Sequence, residues 1–163
     1  MNQLVKEKII PTYAVGGAIA VLWYTKALST DDLDIFIRID QPTSSIVSIS
    51  PVLDRLKQLG GRESGVYVEF DNELPVQILA DGNPLTTEAV TEALDAEYQG
   101  VPTRVFSAEH LCALALELGR DKDHYRVRLL LEQKAVDLDK LKDILTRYRL
   151  LDALRAAVPN VDR

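Results

Sequence analysis

Apolar and polar positions change rhythm several times along this chain, and each change marks an element. Residues 3–10 (QLVKEKII) read as a short helix that ends at Pro11. Thr12 to Val15 is a short apolar strand, Gly16-Gly17 turns the chain, and Ala18 to Thr25 has the length and apolar content of a buried helix. Asp32 to Ile39 alternates and is rich in β-branched residues, which predicts a strand. A polar loop over Gln41 to Ser50 leads into a helix with Ser50 as its cap and Pro51 in its first turn. Gly60-Gly61 stops that helix.

Two strand-like runs follow, Gly65 to Asp71 and Pro75 to Ala80, and Asn72-Glu73-Leu74 between them makes a hairpin. Thr86 to Tyr98 has amphipathic helical spacing. Gly100 to Phe106 reads as a strand, placed at a sheet edge by Pro102. Ser107 caps a helix running to Leu118, which Gly119 stops. From Asp121 onward the pattern is helical throughout: Asp121 to Lys134, Asp137 to Arg149, and Leu150 to Val158. Trp23 and Tyr148 occupy apolar positions expected in the core. The order predicts an α/β (α+β) fold: a mixed β-sheet flanked by helices over residues 1–106, then a helical bundle over residues 107–163 packed on it.

Composition narrows the function classes. A net charge of −6 argues against a general nucleic-acid coat, which needs a basic surface, and no DNA-binding motif is present. Cys112, the one cysteine, sits in an apolar helical run and reads as a buried thiol, so disulfides play no part. His110 and His124 are too isolated in sequence to suggest a zinc site. The N-terminus lacks the pattern of a secretory signal, and the longest apolar stretch is short and broken by glycines. A cytoplasmic address without membrane contact is the expectation.

Chemistry concentrates in Ser29-Thr30-Asp31-Asp32-Leu33-Asp34-Ile35. Alternate strand positions share a face, so Asp32 and Asp34 project together while Asp31 points away. Like charges that close repel unless a cation lies between them, and oxygen-only ligands suit Mg²⁺ or Mn²⁺. Gly16 and Gly17, ahead of a helix N-terminus, let backbone amides approach a phosphate. Thr30 is placed to hydrogen-bond a phosphate, or is an ordinary loop residue. Lys26 either reaches a triphosphate or is a solvated lysine. Arg120 and Lys122, in Gly119-Arg120-Asp121-Lys122-Asp123, either lend charge to bound phosphates or form a capping and ion-pair cluster.

The arrangement strand, Gly-Gly, helix, then a strand opening with Asp-x-Asp resembles the nucleotidyltransferase superfamily typified by DNA polymerase β. The segments YAVGGAIAVLWYTKALSTDDLDIFI and FSAEHLCALALELGRDKDHYRVRLLLE are similar to two motifs of small bacterial nucleotidyltransferase-like proteins of the abortive-infection toxin kind. The resemblance implies transfer of NMP from an NTP to an RNA or protein acceptor, with a cognate antitoxin as partner. It also implies two metal ions on Asp32 and Asp34, and a triphosphate on Gly16 and Gly17. The superfamily's third carboxylate falls at Gln77, whose amide can ligate but cannot act as a base. Glu69 substitutes if the hairpin brings it to the same face, and is otherwise a solvent-facing strand residue. A lysine expected within the preceding helix is also missing, since Leu111 to Leu116 carries no cation.

Overall fold

The computed structural model describes residues 1–26, 29–39 and 48–159. Among these, one sheet of seven strands runs in the order β3-β4-β5-β2-β1-β7-β6. Its elements are α1 (Asn2–Lys6), β1 (Tyr13–Val15), α2 (Gly17–Tyr24), β2 (Leu33–Ile37), α3 (Ser50–Gln58), β3 (Arg62–Ser64), β4 (Tyr67–Glu69) and β5 (Val76–Ala80). They continue with α4 (Pro84–Thr91), β6 (Leu94–Tyr98), β7 (Val101–Val105), α5 (Ala108–Leu118), α6 (Asp121–Glu132), α7 (Leu138–Arg147) and α8 (Leu151–Ala157).

Strand alternation divides the core in two. One face of the central strands presents Tyr13, Ile35, Ile37, Val68 and Ile78, which pack with Leu4 and Ile10 and with Val52 and Leu56 of α3. The other presents Ala14 and Phe36, which join a larger cluster built with α2, α4 and α5–α8. Phe36 and Phe106 meet there with ring centroids 4.8 Å apart. The central helix is α5, started by Ser107 Oγ, which accepts from the His110 amide at 3.2 Å. Gly119 ends it in the left-handed region at φ 66°. That reversal leads into α6, which joins the larger cluster through Val127, Leu129 and Leu130.

Several expectations change. Leu94 to Tyr98 is a strand, not the end of a helix: it pairs with β7 from Leu94↔Val105 to Tyr98↔Val101. Its alternation of Leu94, Ala96 and Tyr98 with Asp95 and Glu97 fits a period of two once a partner strand is present. β6 therefore takes the edge and β7 lies inside it, with β1 touching β7 at Val15↔Val105. Pro102 is tolerated because it sits at the opposite end of β7 from that contact. The run after Gly61 makes two strands, β3 and β4, that pair with each other, and β4 then pairs with β5 as a hairpin partner. The first helix stops at Lys6, and Ile49, not Ser50, occupies the cap of α3. Trp23 is 42% exposed and so lies outside the core. Most of the polar loop after β2 falls outside the described residues.

Candidate functional site

The register of three strands builds the site. β2 and β5 run parallel with Asp34 opposite Gln77, and β4 pairs with β5 so that Tyr67 is also opposite Gln77. Residues in register share a face, so Tyr67, Gln77 and Asp34 form one row across the sheet. The Gly16 amide extends that row, donating to the Asp34 carbonyl at 3.0 Å. Asp32 lies just before β2, one step of two from Asp34 and on the same side. Thr30 Oγ1 donates to Asp32 Oδ1 at 2.9 Å, and Tyr67 Oη donates to Asp32 Oδ2 at 3.4 Å.

The two glycines have different reasons to be glycine. A Cβ on Gly16 would fall 2.4 Å from the Phe36 ring and 2.9 Å from that of Phe106. One on Gly17 would fall 1.8 Å from Asp34 Oδ2, and Gly17 also has φ +57°. Gly16 thus yields to the aromatic pair, whereas Gly17 yields to the carboxylate itself. Gly16 is the N-cap of α2 and offers no side chain to the first-turn amides, so the positive end of that helix opens beside Asp34. Gly17→Ala should cost about 2 kcal/mol or more, combining backbone strain with a displaced Asp34. Gly65→Ala, at φ +63° with nothing within 4 Å, isolates the strain alone. Urea melts of both variants should show Gly17→Ala clearly the worse; equal losses would mean that Asp34 does not press on Gly17.

Electrostatics identify what faces the pair. Burial pushes the Asp34 carboxyl above its ordinary range, and the charge of Asp32 pushes the same way. Arg126, Lys122 and Arg120 oppose the rise, which places the head of α6 within electrostatic reach of Asp34. Asp123, 1% exposed, organises the two arginines. Its carboxylate takes Arg120 Nε at 2.5 Å and Arg126 Nη1 at 3.3 Å. Tyr67 stays protonated to higher pH than an ordinary tyrosine, chiefly because of the Asp32 charge.

The fold therefore brings together Asp32, Asp34, Gly16, Gly17, Thr30, Gln77, Arg120 and Lys122. Glu69 is half-buried on the face of Tyr67, and continuing the registers of β4 and β2 with β5 by one residue sets it level with Asp32, with Pro75, just before β5, between them. Lys26 is exposed just beyond the C-cap of α2, past the opposite end of that helix from Gly17. Sequence reasoning missed Tyr67, whose link to Asp32 spans 35 residues, and did not connect Arg126 with Asp34. The spacing of Asp123 three residues from both Arg120 and Arg126 was the available signal.

A second group, Glu88, Glu92 and His110, has ligand atoms within 4.8 Å of one another. Glu88 is already engaged by Arg147, by Tyr148 Oη at 2.7 Å and by His110 Nε2 at 3.1 Å, so this cluster is a latch between helices. Cys112 is fully buried, and burial pushes its thiol up, out of reach of a nucleophile's range. Among the described residues no helix is long and apolar enough to cross a membrane.

No family model matches the chain, and no curated protein matches it in sequence. Solved structures do match. The antibiotic-resistance factor ANT(2'')-Ia in solution has a TM-score of 0.53 at 17% identity, over 90% of this chain and 86% of its own. The crystal structure of ANT(2'')-Ia in complex with adenylyl-2''-tobramycin gives 0.54 at 17% identity, over 90% of this chain and 91% of its own. An antigenic nucleotidyltransferase-like protein from Paracoccidioides brasiliensis gives 0.59 at 14% identity, over 98% of this chain and 86% of its own. Identities this low speak of fold alone, and the fold of this chain is nucleotidyltransferase-like.

Proposed function

We propose that this chain is a divalent-metal-dependent nucleotidyltransferase that moves NMP from an NTP to an acceptor oxygen. The observation that carries the reading is the crowding of Asp32 and Asp34 on one face between the open end of α2 and the cations of α6. The pair offers carboxylate oxygens, with the Thr30 and Tyr67 hydroxyls beside Asp32, and Asp34 bears an unfavourable charge there, so the residues fit Mg²⁺ or Mn²⁺ on Asp32 and Asp34. Such an ion, when bound, supplies positive charge to the phosphates and acidity to a coordinated oxygen.

The chain's own groups do the rest. First-turn amides of α2 and the helix dipole bind phosphate oxygens, and the carboxylate over Gly17 fixes where they can approach. Arg120, Lys122 and Arg126, whose charges reach Asp34, add positive charge for those phosphates. Thr30 and Tyr67 each donate to one oxygen of Asp32 and so set its orientation. The likeness to toxin-type sequences supports an RNA or protein acceptor and a cognate antitoxin. The adenylyl-2''-tobramycin bound to ANT(2'')-Ia supports adenylyl transfer on this fold.

Thermal melting tests the reading. Mg²⁺ or Mn²⁺ with one of the four NTPs should raise Tm, by an amount corresponding to ~2.7 kcal/mol at a hundredfold excess over Kd. The rise should vanish in Asp32→Asn and in Asp34→Asn. No rise with any nucleotide would sink the assignment. Gln77, opposite Asp34, favours a second reading, a nucleotide-binding protein without turnover. Label transfer from α-labelled NTP separates the two, since only the enzyme carries the labelled α-phosphorus onto an acceptor.

A further inference from the structure

We propose, resting on the nucleotidyl-transfer reading, that the acceptor is a phosphomonoester attacking through an oxygen that already carries its charge, and not a free hydroxyl. A hydroxyl must shed a proton as it attacks, and the base that takes it must lie within hydrogen-bond reach. On the face that carries the acids, the row is Tyr67, Gln77 and Asp34. Asp34 and Asp32 belong to the cation, and the Tyr67 hydroxyl points its proton at Asp32. The position that completes the row is an amide, which takes up no proton near neutral pH. Glu69 shares the face but stands two strand spacings from Asp32, about 10 Å between backbones.

A phosphomonoester needs no such base. It carries about −1.5 to −2 charge at pH 7, and the charges of Arg120, Lys122 and Arg126 reach Asp34 and so meet it there, with Arg120 and Arg126 held in place by ion pairs to Asp123. An acceptor phosphate oxygen attacks the α-phosphorus of the NTP and a new P–O bond forms. The bond from the α-phosphorus to the α–β bridging oxygen breaks, and its electron pair leaves with pyrophosphate. The product is a mixed diphosphate, and no proton changes hands.

The test offers the full chain α-³²P-labelled NTPs with Mg²⁺ or Mn²⁺ and paired acceptors. One pair is glucose 1-phosphate and glucose. The other is an oligoribonucleotide with a 5′-phosphate and the same oligomer with a 5′-hydroxyl, both with blocked 3′ ends. Label should enter the phosphorylated member of a pair at least ~10²-fold faster, the factor a missing general base withholds from the hydroxyl. The product should resist phosphatase. Gln77→Glu should raise transfer to the hydroxyl member by on the order of 10²-fold. Equal labelling of both members would overturn the proposal, as would hydroxyl labelling that disappears in Glu69→Gln, which would put a base at Glu69. Failure to label either phosphorylated acceptor, while the metal- and nucleotide-dependent rise in Tm persists, would overturn it and leave the nucleotide site standing. Loss of that rise as well would remove the parent reading.

Discussion

Asp34→Asn is expected to lose nucleotidyl transfer by on the order of 10²–10³-fold and yet to melt higher than the unaltered chain in metal-free buffer at neutral pH. Both outcomes come from one carboxylate. Asp34 is held over Gly17, half-buried, beside Asp32, and its carboxyl lies above the ordinary range because burial and then Asp32 disfavour its charge. An acid raised in the folded state is protonated in both states at low pH and contributes no penalty there. As pH rises, the unfolded chain releases its proton first, so folding stability falls until the folded carboxyl has ionised too. The gap in Tm between Asp34→Asn and the unaltered chain should therefore be absent below the ordinary carboxylate range and open as pH climbs through the raised value. Adding Mg²⁺ should raise Tm of the unaltered chain and not that of the variant. A variant that melts lower at neutral pH without metal would show that Arg120, Lys122 and Arg126 compensate Asp34 fully.

The Asp32 and Asp34 pair is the most readable part of the candidate site in the sequence. Two acids at strand spacing make no sense for packing, so Asp32 and Asp34 stand out by their spacing alone, as do the glycines ahead of α2. The α5 cap at Ser107 and stop at Gly119 are equally legible, because each rests on one local hydrogen bond or one backbone conformation. Elements defined by a distant partner are not. β3 is wholly exposed, with no apolar position to mark it, and exists through its pairing with β4. Leu94 to Tyr98 carries a pattern that suits a helix after Thr86 and a strand beside β7, and only the pairing decides between them. Tyr67 and Arg126 are hidden for the same reason: their importance lies in what they face, not in their neighbours along the chain.

Glu88→Ala should destabilise the fold by roughly 2–3 kcal/mol at pH 7, the cost of leaving Nε2 of the fully buried His110 without its partner together with a broken ion pair. Glu88 leaves α4 to meet His110 of α5, Arg147 of α7 and Tyr148 just after it. Burial pushes its carboxyl up, but the hydrogen bonds from Arg147, Tyr148 and His110 outweigh burial and hold it at about 2, against an ordinary 4.5. An acid lowered in the folded state gives its stabilisation in full above the ordinary value and loses it as pH falls toward the folded one. In Glu88→Gln the deficit against the unaltered chain should thus be constant above about pH 5 and shrink steadily between pH 4.5 and 2. Urea unfolding at pH 7, 4 and 2.5 measures it, and a deficit unchanged with pH would show that the carboxylate's charge is not what binds these helices. The consequence reaches the site. α5 ends at Gly119, and the chain turns there to set Arg120 and Lys122 beside Asp34, so an α5 loosened from α4 and α7 no longer holds those cations in place. Nucleotide-dependent stabilisation should consequently weaken in Glu88→Ala even though Glu88 touches nothing at the site, and a variant that melts lower but gains as much from Mg²⁺ and NTP as the unaltered chain would disconnect the latch from the site.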